Sequence, residues 1–340
     1  MRALVKFDLG EKGIEVRTVP EPELKDGELL VKVLAAGICG SDIHARHDQR
    51  EVCLPVTLGH EFVGQVVGTK GDTGIFQASD WVVTLPACYS CGKCDVCRQG
   101  LVTLCRQRKS IGSHVNGAMA EYVKVPAKYS FKIPDDVSDK VVYALTEPMA
   151  CVVRGVYERI DVKPGDVAVV SGPGTIGLFA VSLLKSRGAY VIASGLPDDR
   201  HRLELARTLG ADATADCFEK LTEEVAKVSR NGADIAVEAA GAAGSIDICV
   251  KILKAQGTLL QMGNYWQPIQ FDMDKAFFKE LLIVTSNSTA YSTWLIALEL
   301  LKEKKVSMEP LLSLRLPLEK WEEGFAAVEN KRAYKVVLMP

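Results

Sequence analysis

Four cysteines lie close together in the segment CYSCGKCDVCRQGLVTLC, which covers residues 88–105. They are spaced C-x2-C-x2-C-x7-C and comprise Cys91, Cys94, Cys97 and Cys105. Four thiolates can enclose Zn2+ in a tetrahedral shell that leaves no position for a substrate. The spacing therefore predicts a structural zinc site. Cys88 is a neighbouring alternative ligand, although its spacing fits this site less well.

An iron–sulfur cluster is the main alternative to zinc at this segment. A bacterial ferredoxin pattern also begins C-x2-C-x2-C, but it continues with three residues, a fourth cysteine and a proline. Here seven residues separate Cys97 from Cys105, and Arg106 follows. Because the chain departs from the ferredoxin spacing in this way, zinc is favoured over a cluster and over unrelated free thiols.

A second set of metal-binding residue types is divided between GICGSDIH (37–44) and LGHEFVG (58–64). Cys39, His60 and Glu61 offer sulfur, nitrogen and oxygen donors, a mixture typical of a catalytic zinc with one open position. Position 64 is glycine, so the HExxH pattern of a zinc protease is absent. This set predicts a zinc ion that makes a bound alcohol easier to deprotonate.

Neighbouring residues suggest how a proton leaves such a site. Ser41 and His44 follow Cys39 within one turn or loop step and are candidates for a relay to water; a zinc-bound water near Glu61 is the alternative route. Asp42 is a candidate partner for the His60 imidazole, because metal-binding histidines usually donate their second ring N–H to a carboxylate or carbonyl.

A dinucleotide-binding turn is predicted in DVAVVSGPGTIGLFAV (166–181). Gly172, Gly174 and Gly177 form G-x-G-x-x-G after an apolar strand, and Thr175 and Ile176 lie at the start of the following helix. Glycines let the backbone approach a pyrophosphate, which then sits at the helix N-terminus. A G-x-G-x-x-G turn that follows a strand and opens a helix is the context that dinucleotide binding requires.

The acid expected at the end of the second strand is missing. Ser194 and Gly195 stand where an Asp or Glu usually binds the ribose hydroxyls. Arg200 is a candidate partner for a 2'-phosphate, whereas Asp198 or Asp199 could still reach a ribose. The sequence therefore leaves NAD and NADP open.

The whole-chain composition narrows the function classes. The 340 residues carry a net charge of -2, which argues against a nucleic-acid-binding surface. No signal-peptide core fits the first ten residues, and the longest uncharged stretch, 167–184, is broken by glycines and proline. Clustered cysteines favour metal binding in a reducing compartment. We expect a cytoplasmic protein without membrane segments.

The pattern of apolar residues changes along the chain. Short apolar runs at 28–39, 61–67 and 118–126 predict a small β-rich domain. Strands and helices then alternate, which predicts a parallel, doubly wound sheet. Its strands are predicted near 167–171, 190–194, 212–215, 233–238, 257–262 and 281–285. A helix at 294–305 and a strand at 335–340 follow, and we expect this tail to return to the first domain.

Together these motifs resemble the zinc-dependent medium-chain dehydrogenases, specifically their polyol and threonine dehydrogenase branch. The resemblance covers nearly the whole chain. It depends on CGSDIH (39–44), GHE (59–61), the four-cysteine segment, GAMAEYVKVP (117–126), LTEPMA (145–150), GPGTIG (172–177) and the closing KVVLMP.

The resemblance implies an α/β protein in which a GroES-like catalytic domain (1–150 and 286–340) contains an inserted Rossmann domain (151–285). It implies a catalytic and a structural zinc, NAD or NADP, and a homodimer or homotetramer. Cys39, His60 and Glu61 resemble the family's catalytic zinc site, and Glu147 resembles the additional carboxylate of the polyol branch. Pro148 predicts an extended backbone at Glu147.

The resulting functional prediction is oxidation of a secondary alcohol, such as a polyol or sugar acid, to a ketone. The segment SNSTAYSTW (286–294) lacks the Arg-Tyr pair that lines the pocket of animal sorbitol dehydrogenases, so sorbitol itself is not predicted. Alternatives are oxidation of an amino alcohol such as threonine, oxidation of a steroid or other bulky alcohol, and a non-catalytic or iron–sulfur dinucleotide-binding protein.

Overall fold

The chain forms two compact units in a computed structural model that describes residues 1–87 and 89–340. The first unit comprises Met1–Glu147, Thr289–Glu299 and Leu311–Pro340, and the second comprises Pro148–Ser288 and Leu300–Pro310. The predicted boundaries at 150 and 286 lie near these limits. Residues 300–310, assigned to the first domain from the sequence, pack with the second unit instead.

The described residues contain strands in both units. In chain order they are β1 (Arg2–Lys6), β2 (Ile14–Thr18), β3 (Glu28–Gly37), β4 (Val56–Thr57), β5 (Glu61–Lys70), β6 (Trp81–Thr84), β7 (Tyr122–Pro126), β8 (Ser130–Lys132), β9 (Val167–Ser171), β10 (Tyr190–Ser194), β11 (Ala213–Ala215), β12 (Ala233–Glu238), β13 (Leu253–Gln261), β14 (Leu282–Thr285), β15 (Leu312–Pro317) and β16 (Lys335–Met339).

The α-helices are mostly short. They are α1 (Gly40–Arg46), α2 (Asp95–Arg98), α3 (Thr146–Val153), α4 (Thr175–Ser186), α5 (Arg200–Thr208), α6 (Phe218–Val228), α7 (Ala243–Ile252), α8 (Met273–Phe277), α9 (Tyr291–Lys302) and α10 (Trp321–Glu329). Short 3-10 helices occur as well, including Val102–Leu104 and Lys140–Leu145.

The first unit is built on β-sheets. Its seven-stranded sheet has the order β15-β16-β3-β5-β6-β8, with β7 also pairing to β3, and a three-stranded sheet has the order β2-β1-β4. The long strand β3 is rich in leucine, valine and alanine, and β5 adds Phe62 and Val66; together they supply much of the core. Trp321 and Phe325 of α10 pack into the same core.

The strand register brings distant segments of the first unit together. Gly37 at the end of β3 lies opposite Glu61 at the start of β5. Val337 of β16 lies opposite Gly37 on the other side of β3. The C-terminal strand thus returns to the first unit, as predicted, and Lys335 begins that strand.

The second unit is a six-stranded parallel sheet with the order β11-β10-β9-β12-β13-β14. This 3-2-1-4-5-6 arrangement is the doubly wound Rossmann order. Strands β9, β10 and β12 have the predicted bounds, and α4 begins at Thr175, where the helix after the glycine turn was predicted.

Two strands begin several residues away from their predicted starts. The run 118–126 pairs as a strand from Tyr122 onward, because Ala118 and Met119 donate their N–H groups to Gly59 and Leu58 and connect the smaller sheet instead. Strand β13 begins at Leu253, earlier than predicted from the apolar run that starts at residue 257.

Candidate zinc centres and dinucleotide site

The four-cysteine segment brings its thiols together. Ligand atoms of Cys91, Cys94, Cys97 and Cys105 all lie within 4.8 Å of one another, and Cys91 Sγ is 3.9 Å from Cys97 Sγ. Zn–S bonds of about 2.3 Å in a tetrahedral shell place sulfur atoms about 3.8 Å apart, so the donors fit zinc. Cys88, the alternative ligand, lies outside the described residues.

Backbone groups favour the thiolate form of Cys91 in this cluster. The N–H groups of Lys93 and Cys94 donate to Cys91 and lower the pKa of its thiol to about 6. Because the thiolate is the form that binds metal, Cys91 is prepared for a zinc ion at neutral pH.

The mixed donor set converges as well. Ligand atoms of Cys39, His60 and Glu61 lie within 4.8 Å of one another. Cys39 is the N-cap residue of α1, and His60 directly precedes β5. Pairing between β3 and β5 carries the two segments to the same place. The donors suit a catalytic zinc with an open position.

Asp42 is a buried residue that lies next to two of these donors, Cys39 and His60. Its carboxylate is 0% exposed, and Oδ2 accepts the Cys39 N–H at 3.0 Å. Its Oδ1 is 3.8 Å from His60 Nδ1, and both atoms are buried without a hydrogen-bond partner among the described residues. Buried polar atoms normally have hydrogen-bond partners. Two such atoms without partners beside the donors are consistent with a site whose geometry is completed by a bound metal ion.

Asp42 also governs the charge of the imidazole. Burial alone lowers the pKa of His60, but the Asp42 carboxylate, with Cys39, raises it to about 10. A metal ion that binds His60 must therefore displace a proton.

Lys335 lies at this site, although it was not among the site residues predicted from the sequence. Its Nζ donates to Glu61 Oε2 at 2.6 Å and to Oε1 at 2.9 Å, and both side chains are buried. Burial alone lowers the pKa of Lys335, but Glu61 raises it, so the lysine stays protonated. The available signal was a lysine at the start of the otherwise apolar strand KVVLM.

Glu147 lies in the first turn of α3 and is 7% exposed. The prediction of extended backbone there is wrong, because proline is tolerated in the first turn of a helix and Pro148 occupies such a position. The charge of Glu147 raises the pKa of both His60 and Lys335, although its carboxylate is not in the three-donor group.

Arg154 and Arg159, the arginines that follow Glu147 most closely in the sequence, have other contacts. Arg154 Nη1 donates to Glu158 at 2.7 Å, and Arg159 Nε donates to the Thr285 carbonyl at 3.2 Å. These contacts occupy both arginines within the second unit.

The two predicted relay residues lie on α1. Ser41 follows directly after the first residue of the helix, and His44 lies one turn later. His44 Nδ1 is 2.6 Å from Gln49 Oε1, a contact in which a protonated Nδ1 donates to the amide oxygen. Gln49 was not identified from the sequence.

The predicted dinucleotide turn has the required backbone. Gly172 has φ 99°, and a Cβ there would lie 2.6 Å from Ala240 N. Gly174 caps α4, which begins at Thr175, so Ile176 lies in its first turn. A Cβ on Gly177 would overlap the Gly172 carbonyl oxygen. The turn therefore exposes the N-terminus of α4 in the manner that favours a phosphate.

Glu238 fixes the loop beside this turn. It is 0% exposed, and Oε1 accepts the N–H groups of Ala240 and Gly241 at 2.9 Å each. Gln261 Nε2 donates to Oε2 at 2.6 Å. Glu238 was not identified from the sequence, although an acid at the end of a buried strand, followed by AAG, was the available signal.

The end of β10 differs from the expected ribose site. Ser194 is buried, and Arg200 is exposed at the start of α5. Asp199 is buried and accepts the Leu196 N–H at 3.0 Å. Buried Arg202 places Nη1 3.9 Å from where a Cβ of Gly174 would lie, so it approaches the turn. A Cβ on Gly195 would lie 2.9 Å from Pro173 Cγ, so an acid there would be crowded.

Comparison with known families identifies these features. "Alcohol dehydrogenase GroES-like domain" matches residues 25–135, and "Zinc-binding dehydrogenase" matches residues 175–303. A sorbitol dehydrogenase from Halalkalibacterium halodurans is 37% identical over 100% of this chain and 99% of that protein.

The chain belongs to the zinc-dependent medium-chain dehydrogenases. A D-arabitol-phosphate dehydrogenase from Enterococcus avium is also similar, at 34% identity over 93% of this chain and 91% of that protein. A zinc-binding dehydrogenase structure from Sinorhizobium meliloti, bound to NADP, has a TM-score of 0.90 and 32% identity, and covers 100% of this chain and 99% of that one.

These matches confirm the predicted fold and enzyme class. This medium-chain dehydrogenase is of the polyol and threonine branch, with a GroES-like and a Rossmann domain. It is a zinc-dependent, NAD(P)-dependent alcohol dehydrogenase, and small molecules are its substrates. Among the helices of the described residues, none is long and apolar enough to cross a membrane.

Proposed function

We propose that this dehydrogenase oxidises a secondary hydroxyl group of a polyol, sugar acid or related compound to a ketone and passes the hydride to NAD+ or NADP+. The observation that carries the proposal is the convergence of half-buried Cys39 and His60 with buried Glu61. The names of the sorbitol and D-arabitol-phosphate dehydrogenase relatives support a substrate with several hydroxyl groups.

In this proposal, Cys39 and His60 are the fixed donors to the catalytic zinc. Glu61 and Glu147 are the carboxylates that would share the remaining coordination positions with the substrate oxygen. When bound, zinc supplies a Lewis acid that makes the substrate hydroxyl more acidic. Asp42 holds the imidazole of His60 in orientation.

The proposed proton path uses residues of α1. The Ser41 hydroxyl accepts the proton of the substrate hydroxyl and passes its own proton towards His44. The contact between His44 Nδ1 and Gln49 Oε1 supports a tautomer in which Nε2 accepts that proton. His44 then releases it to water.

The proposed cofactor site is the G-x-G-x-x-G turn. The N-terminus of α4 at Gly174, Thr175 and Ile176 receives the pyrophosphate, with Gly172 and Gly177 giving the backbone clearance. Ser194, Gly195 and Arg200 form the ribose end of the site. Buried Arg202 adds positive charge near Gly174 and supports tolerance of a 2'-phosphate.

The proposed role of Cys91, Cys94, Cys97 and Cys105 is structural. Four thiolates at tetrahedral spacing close the coordination shell, so this ion stabilises its loop and has no position for substrate.

A self-association surface completes the proposal. The edge strand β14 exposes Leu282 and Ile283, and the nearby α8 region exposes Phe277 and Phe278. An exposed apolar edge strand is a ready template for pairing with another chain. A second copy of this chain is the proposed occupant, giving a homodimer or, through further contacts, a homotetramer.

We further propose a cytoplasmic location. The cysteines that the structure describes are free thiols, which suits a reducing compartment and thiolate metal binding.

A substrate screen tests the proposed reaction. Polyols, polyol phosphates, sugar acids, amino alcohols and steroids are each offered with NAD+ and with NADP+, and kcat/KM is measured from reduced-cofactor absorbance. We expect the highest kcat/KM with a polyol, its phosphate or a sugar acid. The highest value with threonine or a steroid would contradict the proposed substrate class.

A further inference from the structure

Lys335 and Glu61 form a buried ion pair in the first unit. Lys335 Nζ donates to Glu61 Oε2 at 2.6 Å and Oε1 at 2.9 Å, and to the Ile38 carbonyl at 3.1 Å. The lysine side chain is 4% exposed and that of the glutamate 1%. Three hydrogen bonds away from solvent hold the ammonium in place, and both carboxylate oxygens face it.

The pairing of β3 with β5 and β16, together with the absence of a side chain at Gly37, places the Glu61 carboxylate next to Lys335. Gly37 pairs with Glu61 on one side of β3 and with Val337 on the other. Lys335 precedes Val337 by two residues, so both project from the same face of β16. A Cβ on Gly37 would overlap Glu61 Oε2, so the missing side chain provides the space that the carboxylate occupies.

The same carboxylate lies within reach of the catalytic metal donors. One Glu61 oxygen is within 4.8 Å of ligand atoms of Cys39 and His60. Glu61 can therefore turn towards either of two cations, the lysine ammonium or the metal. A buried carboxylate that loses one cation is expensive to leave unpaired, so it turns to the other.

We propose that Lys335 is a positioning residue that holds the Glu61 carboxylate away from the catalytic metal and so keeps a coordination position open for the substrate oxygen. This inference rests on the proposed zinc ligands Cys39 and His60. Glu61 becomes an exchangeable donor, and the strength of its ion pair sets how often it competes with substrate.

The test replaces Lys335 with methionine, which has similar length and no charge. The catalytic zinc is exchanged for Co2+, whose visible absorption reports ligand number and geometry. We expect Lys335→Met to acquire the absorption of a site with one more oxygen ligand. Release of the cobalt to a chelator should slow by about tenfold, within the range for changes beside metal ligands, and kcat should fall.

The direction of the release rate separates positioning from a structural role. A lysine that only stabilises the fold would, when removed, loosen the site and speed release. Faster release or an unchanged cobalt spectrum in folded Lys335→Met would overturn the proposal. Lys335→Arg keeps the charge and should retain the wild-type spectrum.

Lys6 provides a matched control for loss of a buried lysine. It is 1% exposed and pairs with Asp48 at 2.8 Å in the same unit. Lys6→Met should lower the melting temperature while leaving the cobalt spectrum and release rate unchanged.

A double variant identifies Glu61 as the competing group. Adding Glu61→Gln to Lys335→Met removes both buried charges and should return the release rate to near wild type. Persistent slow release would overturn the proposal. If Lys335→Met does not fold, the cobalt spectrum of Glu61→Gln alone is measured. An unchanged spectrum would support a Glu61 carboxylate that is held away from the metal, and a changed spectrum would contradict the proposal.

The outcome also separates this inference from the proposed function. Wild-type enzyme that fails to hold cobalt at Cys39 and His60 would contradict the proposed ligands themselves. Cobalt-loaded, active enzyme that is insensitive to Lys335→Met would contradict only the role of Lys335.

Discussion

The two thiol-containing centres of this dehydrogenase differ in how their donors are brought together. The four cysteines at 91–105 come from one short segment and need few contacts beyond it. The mixed centre takes Cys39 from the start of α1 and His60 and Glu61 from the start of β5. Buried Asp42 lies beside His60, and buried Lys335 pairs with Glu61.

This difference predicts different responses to mutation. A closed all-thiolate site contributes mainly to folding, because its ion has no free position. The mixed site contributes mainly to chemistry, and its behaviour depends on the charges packed around its donors.

The largest expected effect is loss of a donor at the mixed centre. Cys39→Ser or His60→Ala should lower kcat/KM by at least about 10³-fold, since a Lewis acid supplies several kcal/mol of transition-state stabilisation. The melting temperature should change little. Steady-state kinetics and thermal denaturation measure the two quantities, with His114→Ala as a control; near-normal activity of His60→Ala would contradict the mechanism.

The next effect lies at the four-cysteine centre. Cys94→Ser should destabilise the fold by about 3 kcal/mol, which lowers the melting temperature by roughly 6–12 °C. Enzyme that remains folded should keep most of its kcat. Thermal denaturation and zinc content report the change, and the exposed Cys53 gives the control Cys53→Ser. Unchanged stability together with a large loss of kcat would reverse the assigned roles.

Asp42→Asn sharpens the comparison further. The amide keeps the shape but removes the charge beside His60, so zinc affinity at the mixed centre should fall by about 10–100-fold. The four-cysteine centre should be unaffected. Competition with a chromophoric chelator measures both affinities, and equal weakening at the two centres would show that Asp42 acts on overall stability.

The smallest expected effect concerns Glu147. Glu147→Gln should lower kcat by at least ~10-fold, equivalent to about 1.4 kcal/mol in the barrier, with little change in melting temperature. The reason is that its charge already acts on His60 and Lys335. A lower melting temperature with wild-type kcat would instead make Glu147 a structural acid.

Much of the fold followed from sequence patterns. Period and turn residues predicted β9, β10 and β12 with their observed bounds, because parallel strands buried on both faces form continuous apolar runs. The run at 118–126 was less predictable, because hydrogen bonds to distant residues such as Leu58 decide where pairing begins.

Glu147 shows a limit of local rules. The preference of a residue before proline for extended backbone is a tendency, and the first turn of a helix tolerates proline. Here Glu147 is helical despite that tendency, because it lies in the first turn of α3 (Thr146–Val153).

The sequence by itself determined the residue types that can bind metal and nucleotide. The four-cysteine segment and the glycine turn each span only a few residues. Their geometry is therefore determined by the local sequence. Tertiary structure alone decided the partners of Glu61. Gly37, Glu61 and Lys335 are distant in sequence and meet through the pairing of β3 with β5 and β16. Because both side chains are buried there, Lys335 forms an ion pair with the Glu61 carboxylate away from solvent.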